Sequence, residues 1–394
     1  MLLRVPPTFV LFCLGILTIV IYFHSSVSTS LTDFAAAHLT PANATLGFGG
    51  LFVVSGPGSP RREGLIESAN VTGLHFRFPE LPKWSDEQIA AFRNNDEKTT
   101  ITNGSIRAWL SHNVVLKAFL ESGLETALIL EDDVDWDIRL RTIQTPIAAA
   151  GARSILPPAE ERYYWGHPSD WELMYIGHCG DYFTSLDEDV GVGVVHPEDL
   201  ASLAHALVPD ESMPERTNIH PYTASLLTAL GVPEKTRVVH RSKSPLCTFG
   251  YAVTRASAKR LIDELAPVNG QKETIPHAYD VAILTACRDK GLRCYTVNPE
   301  LFHHMEGESL IGGLDKQKYR PPVDKVGSKQ VYWRGETSNI GCGFWSKDFR
   351  WNGDKARLAF LREEVGNKGK CLKPGRTADG GRIEDLRTPP TIRR

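Results

Sequence analysis

Residues 103–133, NGSIRAWLSHNVVLKAFLESGLETALILEDD, carry two different hydrophobic patterns one after the other. Asn103, Gly104 and Ser105 offer capping groups, and Ile106, Trp109, Leu110, Val114 and Ala118 then recur at helical spacing. Gly123 is placed to end that helix. The apolar run 127–130 reads as a short buried strand, with Glu131, Asp132 and Asp133 at its carboxyl end. A helix feeding a strand with polar groups at its carboxyl edge is half of a doubly wound sheet, and ligands bind such sheets outside the carboxyl ends of the strands.

The same pattern recurs on both sides. Residues 50–55 (GLFVVS), 171–177 (WELMYIG), 248–254 (TFGYAVT) and 292–297 (LRCYTV) read as strands, the first almost wholly apolar. Helices are expected after the break at 56–60, over 256–266, and over 279–290, the last ended by Gly291. Helices alternating with buried strands argue an α/β fold with a mainly parallel twisted sheet. The composition agrees. With 394 residues, 42% hydrophobic and 23% charged, the chain is neither wholly disordered, collagenous nor a polytopic membrane protein. Its 44 Lys and Arg against 47 Asp and Glu leave a net charge of −3, which makes no electrostatic case for nucleic acid as a partner.

Residues 8–23 carry no charge and follow Arg4. They read either as a cleaved signal peptide or as an uncleaved signal anchor with Arg4 on the cytoplasmic side, and the anchor is favoured. Either reading places the rest of the chain in the secretory lumen. Asn43, Asn70 and Asn103 lie in glycosylation acceptor triplets, and the six cysteines beyond Cys13 are an even number that permits disulfides. Cys342 and Cys371 are expected to staple the C-terminal region. The organisation expected is a cytoplasmic tail at 1–7, an anchor at 8–24, a stem at 25–46, a catalytic domain at 47–310 and an extension at 311–394, disordered near its end in the basic, Gly-rich tail from Lys368.

The chemistry concentrates at EDDVDWD, residues 131–137, with five carboxylates in seven positions. Strand alternation points Glu131 and Asp133 one way and Asp132 the other. Such a cluster is costly unless a cation or a hydrogen-bond network offsets it, and oxygen ligands suit Mg²⁺ or Mn²⁺. A divalent ion on one or two carboxylates typically also holds substrate phosphates, which points to a nucleotide diphosphate compound. The plainer alternative is a solvated acidic turn. His303 and His304 offer imidazole ligands, or are ordinary surface or core histidines. Asp280, at the start of a helix after PHAY, is either a helix-dipole partner or a general base. Arg61 and Arg62 suit phosphate, or form an exposed helix start. Ser111-His112 has no acid at a recognisable spacing, so a hydrolase triad is discounted. A glycoside hydrolase needs carboxyl groups flanking the scissile bond, which adjacent residues at one strand end do not obviously supply.

Several blocks together resemble glycosyltransferase family 25, which includes lipooligosaccharide and procollagen galactosyltransferases. They are FVVS at 52–55 with SPRR at 59–62, GLHFRFP at 73–79, TNGSIRAWLSH at 102–112, ALILEDDV at 127–134, WELMYIG at 171–177 and GYAVTRASAKRL at 250–261. The anchored layout is similar to eukaryotic members. The resemblance implies a GT-A type fold and inverting transfer of a sugar, galactose by analogy, from a UDP-sugar to a glycan or glycoprotein acceptor at the Golgi or ER membrane. It implies that Asp133 touches Mn²⁺ or Mg²⁺, with His303 or His304 completing the metal shell. Glu131 and Asp132 then contact the sugar donor, with Arg61 and Arg62 at its phosphates. Asp280 is the acceptor base, with Asp181 and Glu306 as the next candidates. A catalytically inactive glycan- or partner-binding protein of the same fold is the alternative.

Overall fold

The computed structural model describes residues 28–30, 39–93, 100–183, 195–268, 276–305 and 336–375. The strands are β1 (Ser28–Ser30), β2 (Gly50–Val54), β3 (Phe76–Arg77), β4 (Thr126–Glu131), β5 (Val134–Trp136), β6 (Leu173–Gly177), β7 (Gly180–Asp181), β8 (His205–Pro209), β9 (Thr236–Arg241), β10 (Pro245–Leu246), β11 (Gly250–Thr254), β12 (Cys294–Asn298) and β13 (Phe302–His304). An eleven-stranded sheet runs β1-β8-β9-β12-β6-β11-β4-β2-β3, with β13 paired to β5 and β6, while β7 and β10 form a separate ladder.

The expected parallel pairing holds where β2 lies between β3 and β4, with Leu51 opposite Leu128 and Val53 opposite Leu130, and again between β6 and β12. The sheet is nevertheless mixed. β11 inserts antiparallel to both β4 and β6, and β9 runs antiparallel to β8 and β12. An apolar run such as TFGYAVT reports burial on both faces and carries no information on strand direction. At the β6–β11 contact a Cβ on either Gly177 or Gly250 would lie 2.8 Å from the other's Cα. Only glycine permits that approach, and it falls at a register shift between Gly250 and Tyr251.

Alternation along β4 splits the core in two. Ala127 and Ile129 pack with Trp109 and Phe119 of the helix Asn103–Glu121, and Leu128 and Leu130 pack on the opposite face with Trp136 and Leu301. Full burial of each large apolar side chain contributes about 1.5–3 kcal/mol. The cap of that helix lies one residue before the expected capping groups: Thr102 accepts the Ser105 N–H at 3.1 Å, and the helix begins at Asn103. Its buried side carries His112 and Asn113 as well as the apolar stripe, whereas Val114 and Ala118 are only half-buried. Gly123, at φ +75°, closes it as expected.

Two domain boundaries move. Ala42 and Leu46, assigned to the stem at 25–46, are buried in the main core, and the Ala42 N–H donates to the Arg141 carbonyl at 2.9 Å. The folded unit therefore starts before residue 47. The expected anchor at 8–24 lies outside the described residues; among the described residues no helix is long and apolar enough to cross a membrane. At the other end, residues 336–375 are not an appendage. Phe344, Phe349, Leu358, Leu361 and Val365 belong to the main core, and the helix Lys355–Leu361 packs on the helix Arg62–Thr72. The disorder expected of the basic, Gly-rich tail from Lys368 does not begin there: Cys371 is bridged to Cys342 and Lys373 is buried against Glu336, while residues beyond 375 lie outside those described. Three disulfides form, Cys179–Cys247, Cys287–Cys294 and the expected Cys342–Cys371. Of the glycosylation triplets, Asn43 and Asn103 are exposed, while Asn70 lies in the helix Arg62–Thr72 and is bonded to Arg362.

Two of the five clustered carboxylates explain why this C-terminal segment docks. Asp135 accepts N–H bonds from Phe344 at 2.7 Å and Trp345 at 3.2 Å and the Thr337 hydroxyl at 2.7 Å. Asp137 accepts from the Gly341 and Cys342 amides and pairs with Arg139 at 2.7 Å, all of it buried. Burial works against the Asp137 charge, but Arg139 and these donors outweigh it and hold the carboxyl below its usual range. Asp137→Ala leaves Arg139 buried without its carboxylate and is expected to cost about 3–5 kcal/mol. A drop in the urea midpoint with all disulfides intact is the check; an unchanged midpoint contradicts this role.

Candidate active site

Three chain segments converge at the carboxyl ends of β2 and β4. β2 runs out at Ser55, whose hydroxyl donates to Asp132 at 2.6 Å. A tight turn follows, and Arg61 at the start of the next helix reaches back to Asp133 at 2.9 Å and lies 3.9 Å from Asp132. β4 ends at Glu131, and Asp132 and Asp133 form the turn into β5. The strict alternation expected from a strand therefore fails here. Asp132 and Asp133 share the Arg61 side, and Glu131 faces away from them toward His112 and Thr248. The third segment is β13, whose His304 Nε2 is 3.1 Å from Asp133.

The electrostatics differ between these neighbours. Burial pushes the Asp132 carboxyl up despite the hydroxyls of Ser55 and Ser59. Burial also opposes the Asp133 charge, but His304 and Arg61 more than compensate and keep Asp133 below the ordinary range. Asp133 retains one buried oxygen, Oδ1, with no hydrogen-bond partner among the described residues. An orphaned buried carboxylate oxygen beside an imidazole fits a divalent cation that takes its other ligands from a diphosphate. Among the described residues no group of three or more His, Cys, Asp or Glu converges, so Asp133 and His304 are the protein groups placed to hold one.

The remaining expected site residues separate. His303, proposed beside His304 as a metal ligand, is turned the other way along β13 and bonds Glu300. Burial raises Glu300, but His303 and Asn339 bring it down to about 2. Arg62, proposed as a phosphate contact, donates instead to the Ser55 hydroxyl at 3.1 Å and carbonyl at 3.0 Å and lies over the Phe78 ring. It braces the end of β2. Asp135 and Asp137 instead hold the C-terminal segment.

Glu131 belongs to a second group on the other side of the strand end. It accepts from the Thr248 hydroxyl at 3.0 Å and lies 3.3 Å from His112 Nε2. His112 pairs through Nδ1 with the Tyr251 hydroxyl at 3.1 Å and stacks on Tyr279, with centroids 4.8 Å apart. Asp280 follows Tyr279. Its carboxylate accepts N–H bonds from Cys247 at 3.2 Å and from Val281 at 2.9 Å. Burial pushes its pKa up, and Glu131 adds to the rise. Asp181, the alternative base, is fully occupied by the Lys243 and Ser244 amides and the Thr296 hydroxyl. Glu306 lies outside the described residues.

A cleft of about 250 Å³ opens beside Asp133 and is lined by Arg61, Met305, Trp345, Lys347 and Arg350 among others. Its C-terminal wall was not legible in the sequence, because nothing local in residues 344–350 resembles a motif. His112 was legible only as a member of the block at 102–112. Beyond that block the sequence offers only the Ser111-His112 pair, discounted for want of a nearby acid in sequence, and the tertiary fold brings Glu131 to 3.3 Å from it.

No protein-family model matches the chain. The chain is similar to mouse procollagen galactosyltransferase 2, with 27% identity over 107 residues, which is 27% of this chain and 15% of that protein. This weak, partial likeness supports a glycosyltransferase-like relation.

Proposed function

We propose that the protein is a metal-dependent glycosyltransferase that moves a sugar, galactose by analogy, from a UDP-sugar to a hydroxyl of a glycan or glycoprotein with inversion. The observation that carries this reading is the pairing of Asp133, with its unsatisfied buried oxygen, and His304 at the carboxyl edge of the sheet. Mn²⁺ or Mg²⁺ held there would offset the charge that builds on the departing diphosphate. Arg61 already faces Asp133 from the cleft wall and is placed to exchange that partner for phosphate oxygens. Asp132, fixed by Ser55, and Glu131, fixed by Thr248 and His112, orient the nucleotide sugar. Asp280 takes the proton from the acceptor hydroxyl as it attacks the anomeric carbon from the face opposite UDP. The setting is the Golgi or ER lumen, with the chain tethered through residues 8–24.

The test is UDP release by the detergent-solubilised full chain from a panel of UDP-sugars, with Mn²⁺ and with chelator. Mn²⁺-dependent release from one donor, expected to be UDP-galactose, supports the reading. Absence of both release and UDP binding by thermal shift favours the inactive binding protein instead.

A further inference from the structure

Two carboxylates of the proposed site, Asp280 toward the acceptor and Glu131 toward the donor sugar, are held by consecutive residues of one loop. The Cys247 N–H donates to Asp280 at 3.2 Å, and the Thr248 hydroxyl donates to Glu131 at 3.0 Å. Cys247 sits at φ +67°, a left-handed conformation that a non-glycine residue adopts only when its surroundings impose it. Those surroundings are visible. Cys247 is bridged to Cys179 across 68 residues. The Cys179 N–H donates to the Leu246 carbonyl at 3.1 Å, and β10 pairs with β7 through Pro245–Asp181 and Leu246–Gly180. Asp181 ties the near end of the same loop through the Ser244 amide at 2.7 Å.

We propose that the Cys179–Cys247 disulfide is a positioning device for the reaction, which clamps the Cys247–Thr248 dipeptide so that its two donors set the separation and orientation of Asp280 and Glu131. This rests on the reading of Asp280 as the acceptor base. Without the bridge Cys247 relaxes toward ordinary backbone angles, its N–H leaves Asp280, and the carboxylate loses a donor that favours its charged form. The groups facing Asp280 are then left unbalanced. Glu131 on β4 is a second carboxyl, Tyr175 on β6 is a buried phenol, and the Val281 N–H is the other neighbouring donor. Cys287–Cys294 closes the far end of the helix Tyr279–Asp289 and touches neither carboxylate, so it serves as the control.

The experiment compares the full chain with Cys179→Ala/Cys247→Ala and with Cys287→Ala/Cys294→Ala. The first variant is expected to lose about tenfold or more in kcat while UDP affinity changes less than about twofold. Its acidic limb of activity should move up by about one pH unit. The Asp280 carboxyl titration, followed by ¹³C NMR without any sugar donor, should move the same way. The control variant should keep the wild-type pH profile. If the alanine pair does not fold, the same titration is run on folded wild-type protein after native reduction of the half-buried Cys179–Cys247 bridge and thiol alkylation. An unmoved Asp280 titration in folded protein lacking the bridge overturns the proposal. A moved titration in a protein that turns over no UDP-sugar instead overturns the transferase reading and leaves the clamp standing.

Discussion

Asp133→Asn is expected to lower Mn²⁺-dependent UDP release by about 10³-fold. The substitution keeps the size of the side chain and removes its charge, so the orphaned Oδ1 no longer offers an anion to a cation shared with His304. Arg61 loses its shorter carboxylate contact at the same time and keeps Asp132 at 3.9 Å. The fold should survive. The carboxylates that fasten the C-terminal segment are Asp135 and Asp137, and neither depends on Asp133 for its bonds. A folded Asp133→Asn variant that releases UDP at the wild-type rate refutes the assignment of the cation site.

Asp280→Asn is expected to reduce kcat by about 10²–10⁴-fold, the usual range for a positioned general base, with UDP affinity nearly unchanged. Burial raises the Asp280 pKa, with Glu131 adding to the rise, so the wild-type rate should fall with decreasing pH at a midpoint above the ordinary carboxylate value of about 3.9. That limb should disappear in the variant. The stability effect has the opposite sign. A carboxyl whose folded-state pKa is raised favours the folded state at low pH, and that contribution is lost as pH rises through the folded value. At neutral pH the ionised Asp280 is therefore a burden, but Asp280→Asn also removes one of the two oxygens that accept the Cys247 and Val281 N–H groups, so the variant should lose activity with little change in thermal midpoint. Loss of both stability and activity would instead mark Asp280 as a structural helix-start residue.

The elements legible in the sequence were those whose pattern is local. The helix Asn103–Glu121 and strand β4 follow from spacing of apolar residues over short windows, and so does the placing of Asp133 at a strand end. The order and direction of strands were not legible, because β11 buries both faces whichever way it runs. Nor was the division of labour within residues 131–137. Five carboxylates look alike in sequence, but Asp135 and Asp137 are claimed by amides more than 200 residues away. The same holds for His303 and His304. Adjacent residues on a strand face opposite sides, so one was bound to leave the Asp133 site, and only the side-chain contacts in the fold show which: His304 reaches Asp133 and His303 bonds Glu300. The Cys342–Cys371 staple was legible, but the packing of residues 336–375 into the core was not, because it rests on distant buried carboxylates and a few aromatic side chains with little periodicity of their own.

The most direct measurement is calorimetric titration of UDP into the full-length protein, once with Mn²⁺ and once with chelator. Saturable binding that requires Mn²⁺, and that disappears in Asp133→Asn, is the predicted result. UDP binding of equal strength with and without the metal, or no binding under either condition, would contradict a nucleotide-sugar site built on Asp133 and His304.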